Sequence, residues 1–78
     1  MKVYTCKFTS PYGFCVGFLI VAANSEEEAY HTAMKFKQGW LYYYEFEIGY
    51  LHKKIRLLPN VTADVDKSQI LDENDYEE

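Results

Sequence analysis

The sequence has few of the residues that cross-link a chain, and it has no segment suited to a membrane. Its two cysteines, Cys6 and Cys15, are too few for a disulfide scaffold and too widely spaced to begin a zinc knuckle. The longest apolar run, residues 14–23, is about half the length that a membrane helix needs. The first residues lack the apolar core of a signal peptide. We therefore expect a small cytoplasmic protein in a reducing setting, without a membrane partner.

Groups of residues that could form a catalytic or metal site are equally scarce. No Gly-rich phosphate loop occurs, and no close pair of Cys or His residues is present to start a zinc site. We expect His31 and His52 to be solvated surface residues. Glu45 and Glu47 share one predicted strand face, but the opposing Lys54 and His52 make them ordinary cross-strand charges. The sequence predicts a protein that is not an enzyme and binds no cofactor or metal.

Aromatic residues and an uneven distribution of charge are what the sequence does have. Aromatics make up 18% of the 78 residues, with eight Tyr, five Phe and one Trp, which is enough for a core with a surplus for an interface. The net charge is −4, and residues 61–78 are strongly acidic whereas residues 1–60 are mildly basic. We predict a single α+β domain over residues 1–60 and an acidic, largely flexible tail over residues 61–78.

Two strands and a turn are predicted at the start of the chain. Residues 3–8 alternate between apolar and polar side chains, which is typical of a half-buried strand. Residues 10–13 contain Pro11 and Gly13 and favour a turn. Residues 14–23 are apolar on both faces, so this strand is expected in the middle of a sheet. Cys6 and Cys15 could face each other across this hairpin, and we expect them to remain unpaired thiols.

A helix is predicted from Ser25 to about residue 38. Ser25 and Glu28 fit a capping box, and Gly39 marks the stop. The inner stripe is expected to contain Ala29, Ala33 and Phe36. The stretch over residues 21–29, a strand leading into a Ser-capped, Glu-rich helix, resembles a unit common in small bacterial and mobile-element proteins. That resemblance implies a bacterial or phage source and no particular function.

A second hairpin is predicted over residues 40–48 and 51–58, with its turn at Gly49 and Tyr50. In this register Glu45 lies opposite Lys54, and one face becomes mostly apolar while the other pairs acids with bases. The predicted fold is α+β in the order β-β-α-β-β. It is a four-stranded, mainly antiparallel sheet with one helix packed on one face, followed by the acidic tail. The two hairpins could meet through strands one and three or through strands two and four.

The predicted function follows from a surplus of apolar surface. One short helix covers one sheet face, so another chain is expected to cover the second. We predict a non-enzymatic interaction module that forms a homodimer or binds a protein partner through an aromatic sheet face. The residues expected on this face are Leu41, Tyr43, Leu58, Arg56, Lys54 and His52.

Two alternatives involve nucleic acid. Tyr43 with Arg56, Lys54 and His52 could bind a single strand, because stacking aromatics and cations on a sheet are a known platform for it. Glu45 and Glu47 on the same predicted face, and the acidic charge of the whole chain, count against this reading. In the other alternative the acidic tail mimics nucleic acid and occupies a basic partner.

Overall fold

The fold is known from a computed structural model that describes residues 1–36 and 41–74. Its elements in chain order are β1 (Lys2–Thr9), β2 (Cys15–Ala23), α1 (Glu26–Phe36), a π-helix (Tyr43–Glu47), β3 (His52–Thr62) and β4 (Gln69–Asn74). The strands form one antiparallel sheet in the order β3-β1-β2-β4, with α1 packed against it. The predicted α+β class and the β-β-α-β-β order are therefore confirmed.

The hairpin of β1 and β2 forms the centre of the sheet. Tyr4 lies opposite Val21 and Cys6 opposite Leu19, with a register shift near the turn between Phe8 and Thr9. β2 has β1 on one side and β4 on the other, which confirms the interior position predicted from its apolar faces. The strand order differs from both predicted connectivities, because β3 joins the sheet beside β1 and β4 joins it beside β2, so β3 and β4 lie at opposite edges.

The core lies between the sheet and the helical layer. Alternate residues of β1 and β2 point toward α1, as a strand period of two requires. Ala29 and Ala33 of α1 are fully buried, and their small side chains let the helix approach the sheet closely. The buried side chains of this cluster are Tyr4, Cys6, Phe8, Leu19, Val21, Ala23, Ala29, Ala33, Met34, Leu41, Tyr44 and Leu51.

Helix α1 begins with the predicted cap. The Glu28 backbone N–H donates to Ser25 Oγ at 3.2 Å, and Glu28 Oε1 accepts from the Asn24 backbone N–H at 3.0 Å. The carboxylate thus reaches one residue further back than in a standard capping box. The predicted inner stripe is wrong at Phe36, which is half exposed, and Met34 is buried in its place. The predicted stop at Gly39 lies outside the described residues.

The predicted strand over residues 40–48 is wrong for residues 41–48, and residue 40 lies outside the described residues. Leu41 and Tyr42 are α-helical, and Tyr43–Glu47 form a π-helix in which the Ile48 N–H donates to the Tyr43 carbonyl at 2.9 Å. Leu41 and Tyr44, three residues apart on a helical face, are both buried, whereas a strand would place them on opposite faces. Gly49 has a φ of 81° and follows the helix directly, which is the usual role of a C-terminal glycine. Residues 40–48 and 51–58 therefore do not form a hairpin, and β3 pairs with β1 instead.

The predicted flexible tail is wrong for the residues that form β4. Residues 69–74 pair with β2, and Val21 lies opposite Ile70, which packs against the core. The physical reason is that β2 is apolar on both faces and would otherwise leave its outer backbone groups without a strand partner. Residues 63–68 connect β3 to β4, and Ser68 Oγ donates to the Glu28 carboxylate at the start of α1.

Strand β3 continues past its predicted end at Pro59. Lys2 pairs with Thr62 and Tyr4 with Leu57, so β3 advances five residues where β1 advances two. The three additional residues form a bulge that contains Pro59, and Asn60 there has a φ of 62°. A bulge on an edge strand tolerates proline because no ladder hydrogen bond is required at that position.

Candidate interaction surfaces

Three side chains from different elements fix the π-helix against the rest of the domain. The Tyr30 hydroxyl of α1 donates to Glu45 Oε2 at 2.5 Å, and Lys53 Nζ of β3 donates to the same oxygen at 2.6 Å. Lys53 Nζ also lies 5.2 Å from the centroid of the Tyr30 ring, within cation–π distance. Glu45 therefore links α1 to β3, and it pairs with Lys53 rather than with the predicted Lys54.

The pKa values of this trio reflect its contacts. Burial, the hydrogen bond to Glu45 and the negative charge of Glu45 together raise the pKa of Tyr30 to about 12. For Glu45, partial burial favours the protonated form, but the hydrogen bonds from Lys53 and Tyr30 outweigh it and lower the pKa. The trio thus consists of a neutral phenol, a carboxylate and an ammonium group at neutral pH, with the donors and the acceptor matched.

Large apolar side chains from residues 42–50 lie in solvent. Phe46 is 62% exposed, and its ring centroid is 4.6 Å from that of Tyr42. These rings contact each other on the outside of the helix, while Leu41 and Tyr44 hold its inner side in the core. The exposed members of this segment are Tyr42, Tyr43, Phe46, Ile48 and Tyr50.

The turn between β1 and β2 presents two more exposed aromatic rings. Tyr12 and Phe14 are exposed, and their ring centroids lie 6.4 Å apart. Ser10 is buried and holds the turn, because its Oγ accepts the backbone N–H groups of Tyr12 and Phe14, each at 3.2 Å. The conformation of the turn is therefore fixed although its rings face solvent.

Both aromatic groups lie at the same end of the sheet. Thr9 pairs with Cys15 of β2 on one side and with His52 of β3 on the other. The β1–β2 turn and the segment that precedes β3 therefore adjoin the same end of the sheet. Gly17 near this end lies against Leu41, since a Cβ built there would be 3.8 Å from a Leu41 methyl carbon. We call the exposed set at this end the aromatic surface: Tyr12, Phe14, Tyr42, Tyr43, Phe46, Ile48 and Tyr50.

The residues predicted for an aromatic sheet face are divided among three places. Leu41 is fully buried in the core, and Tyr43 is exposed on the π-helix rather than on a strand. Leu58 is half-buried beside the β3 bulge. His52, Lys54 and Arg56 are exposed on β3, at positions opposite Thr9, Lys7 and Thr5 of β1. The structure thus brings the three basic residues together on β3, which also contains Leu58, and separates them from Leu41 and Tyr43.

The sheet face opposite α1 is mixed in character. Tyr4, Cys6 and Phe8 point toward the core, so Thr5, Lys7 and Thr9 point to the other side. On β2 this face carries Phe18 and Ile20, both half-buried, next to Lys7 and Thr5 of β1. The face therefore changes from basic at β3 and β1 to apolar at β2.

A groove runs between the start of α1 and β3. It has a volume of about 700 Å³, and its lining comes from Glu26, Glu27 and Tyr30 on α1 and from residues 53–56 on β3. The acidic side chains lie on the helical wall and the basic ones on the strand. The groove is open to solvent.

The remaining reactive side chains are placed apart from one another. Cys6 lies opposite Leu19, and Cys15 lies opposite Thr9, so the two free thiols do not face each other across the hairpin as the sequence had suggested. Burial raises the pKa of the Cys6 thiol to about 11, which keeps it protonated at neutral pH.

Within residues 1–36 and 41–74, no three His, Cys, Asp or Glu side chains are grouped as metal ligands. No helix in this part of the chain has the length and apolarity required to cross a membrane.

Comparison with known proteins adds no family to this description. The chain matches no protein-family model, no curated protein and no solved structure. The surfaces of the chain itself are therefore the basis for a proposal on its function.

Proposed function

We propose that this chain is a non-enzymatic interaction module that associates with a second copy of itself through the aromatic surface. The observation that carries the proposal is the contact of Tyr42 and Phe46 in solvent, on a helix whose inner side is fixed in the core. Ring pairs of this kind bury well against a matching surface, and Tyr, Trp and Phe are enriched where proteins bind one another.

The accessible area supports an interface of ordinary size. A half-exposed aromatic side chain leaves roughly 100 Å² accessible, so the aromatic surface offers about 600–700 Å², close to the ~800 Å² per partner of a standard interface. The other large exposed apolar side chains, such as Val61 at the opposite end of β3 and Leu71 on β4, lie on other elements. Isolated exposed residues of that kind are normal, whereas a group of them indicates a binding surface.

The low charge of this surface favours a second copy as the partner. Residues 10–14 contain no charged side chain, and the acids of residues 41–50 are Glu45 and Glu47. Lys53 neutralises Glu45. Two copies can therefore bring the same surface together in an isologous dimer with little repulsion between like charges.

Light scattering over a concentration series tests this proposal. We expect the unchanged chain to dimerise, and we expect Phe46→Ser to raise the concentration needed for association by about tenfold or more, since a buried aromatic anchor typically contributes over 1.4 kcal/mol. The matched control is Val61→Ser, which removes an exposed apolar side chain at the opposite end of the sheet. A monomer at every concentration up to about 1 mM, or an equal effect of Val61→Ser, overturns the proposal.

A further inference from the structure

We propose that the basic part of the sheet face opposite α1 binds the phosphate backbone of a single-stranded nucleic acid, with Phe18 as a stacking residue. This surface is distinct from the aromatic surface and does not depend on self-association. Its basic members are Lys7 on β1 and Lys54 and Arg56 on β3, and we call these three the cationic face.

The register of β1 and β3 concentrates positive charge. Lys7 and Lys54 lie directly opposite each other, and Arg56 lies two residues further along β3, opposite Thr5. Like charges at opposed positions on one face destabilise a sheet. Among residues 1–36 and 41–74, no carboxylate is within salt-bridge distance of Lys7, Lys54 or Arg56. A bound polyanion would offset this repulsion.

Several acidic side chains lie on elements other than β1 and β3. Glu26, Glu27 and Glu28 are in the first turn of α1, where Glu26 and Glu27 line the groove that residues 53–56 border from β3. Glu45 and Glu47 are in the π-helix, not on the sheet face where the sequence had predicted them. On β4, Asp72 pairs with Ile20, two strands away from β1 and three from β3. β1 and β3 themselves contain no acidic residue, so the net charge of −4 does not describe these two strands.

Apolar side chains adjoin the cations in the neighbouring strand. Phe18 lies opposite Lys7, so one row across the sheet contains Lys54, Lys7 and Phe18 in that order. Phe18 is half-buried, so part of the residue is accessible to solvent. Aromatic side chains on a sheet stack with unpaired bases while neighbouring Lys and Arg contact phosphates. An acidic peptide would use the cations alone and would gain nothing from the ring.

Fluorescence anisotropy with labelled oligothymidylate and oligouridylate of about 12 nucleotides tests the proposal with the full chain. Three phosphate contacts predict a slope of about −2 in log K against log salt, so a fourfold rise in salt should weaken binding by about 16-fold. The double variant Lys54→Gln with Arg56→Gln should bind about tenfold or more weakly at low salt, with a smaller salt slope.

Matched controls distinguish binding at the cationic face from a general effect of the protein's charge on binding. Lys35→Gln with Lys67→Gln removes the same two charges from α1 and the β3–β4 connector, and we expect less than a twofold effect on binding. Phe18→Leu should weaken binding by about fivefold or more without changing the salt slope, because stacking is lost and phosphate contacts remain. Phe46→Ser should bind the oligonucleotides normally, which distinguishes this proposal from self-association.

Three results would overturn the proposal. One is an affinity that does not change with salt. Another is an equal loss of affinity in the Lys54→Gln/Arg56→Gln variant and in the Lys35→Gln/Lys67→Gln control. The third is binding of polyglutamate as tight as that of the oligonucleotides, which would identify a peptide surface instead. Circular dichroism of each variant confirms that the comparison is made between folded chains.

Discussion

Glu45 is the residue at which three parts of the fold meet. Its carboxylate accepts hydrogen bonds from Tyr30 of α1 and Lys53 of β3, and it belongs to the π-helix that carries Tyr43 and Phe46 of the aromatic surface. Charge-assisted hydrogen bonds of this kind are stronger than neutral ones, and losing one partner of a half-buried set leaves the others unsatisfied. The hydrogen bonds of Glu45 therefore act together with the burial of Leu41 and Tyr44 to hold this segment in place.

Glu45→Gln should make the stability of the fold less sensitive to acid. The folded pKa of Glu45 lies below its ordinary value of 4.5, so its contribution is complete above that pH and is lost as the pH falls through the folded pKa. Urea unfolding from about pH 5 to about pH 3 should show a steeper loss for the unchanged chain than for Glu45→Gln. Glu47→Gln, a change in the same helix, should follow the unchanged chain. Parallel curves for the unchanged chain and Glu45→Gln would contradict this.

Tyr30→Phe should change the titration at alkaline pH. The folded pKa of Tyr30 is raised from 10.0 to about 12, so the stability linked to its protonated form is present below pH 10 and is lost as the pH rises toward 12. Absorbance titration of phenolate should lose amplitude near pH 12 in Tyr30→Phe. Tyr12→Phe is the control, because Tyr12 is 71% exposed on the turn. If amplitude near pH 12 is unchanged in Tyr30→Phe, the hydrogen bond to Glu45 is not formed as described.

At the scale of elements, β4 completes the sheet. Ile70 packs against the core opposite Val21, whereas the neighbouring Leu71 is exposed. Ile70→Ala should therefore lower the free energy of unfolding by about 1–2 kcal/mol, less than for a fully buried site because Ile70 is only partly buried. Leu71→Ala should change it by less than about 0.5 kcal/mol. Urea unfolding distinguishes the two, and equal, negligible effects would show that residues 69–74 are not part of the sheet.

The helices and strands also differ in how well the sequence alone predicts them. β1, β2 and α1 could be predicted because alternation, turn residues and a capping box all indicate the same structure locally. Residues 41–47 could not, because Tyr, Phe and Ile favour strands, and Gly49 suits a hairpin turn as well as a helix end. The signal for a helix was the spacing of Leu41 and Tyr44, which are three residues apart and both buried.

The acidic C-terminal region illustrates a second limit. Residues 69–74 contain few apolar side chains, and local composition favours a flexible segment. Their strand forms because β2 requires a neighbour on its outer edge, which is a tertiary requirement that composition does not express.

For the candidate sites, His52, Lys54 and Arg56 were predicted as a group and lie together. Lys7 and Phe18 were missed because their proximity depends on the strand order.

At the scale of the whole molecule, two surfaces with different physical properties lie on one small domain. The aromatic surface occupies the end of the sheet at the β1–β2 turn, and the cationic face occupies the side opposite α1. Association driven by apolar burial should persist or strengthen as salt rises, since the chains carry a net charge of −4 that salt screens. Oligonucleotide binding should weaken under the same conditions. Opposite responses to salt would thus allow the two proposed activities to be measured separately in one protein.

In the proposed dimer, Tyr42 and Phe46 form the centre of the interface between the two copies. The most direct measurement is an isotope-filtered NMR experiment on a mixed sample of labelled and unlabelled chains, which detects contacts between copies only. We predict intermolecular contacts to the rings of Tyr42 and Phe46 and none to Val61. An absence of contacts at these rings, or contacts confined to the Val61 end of the sheet, would contradict the account.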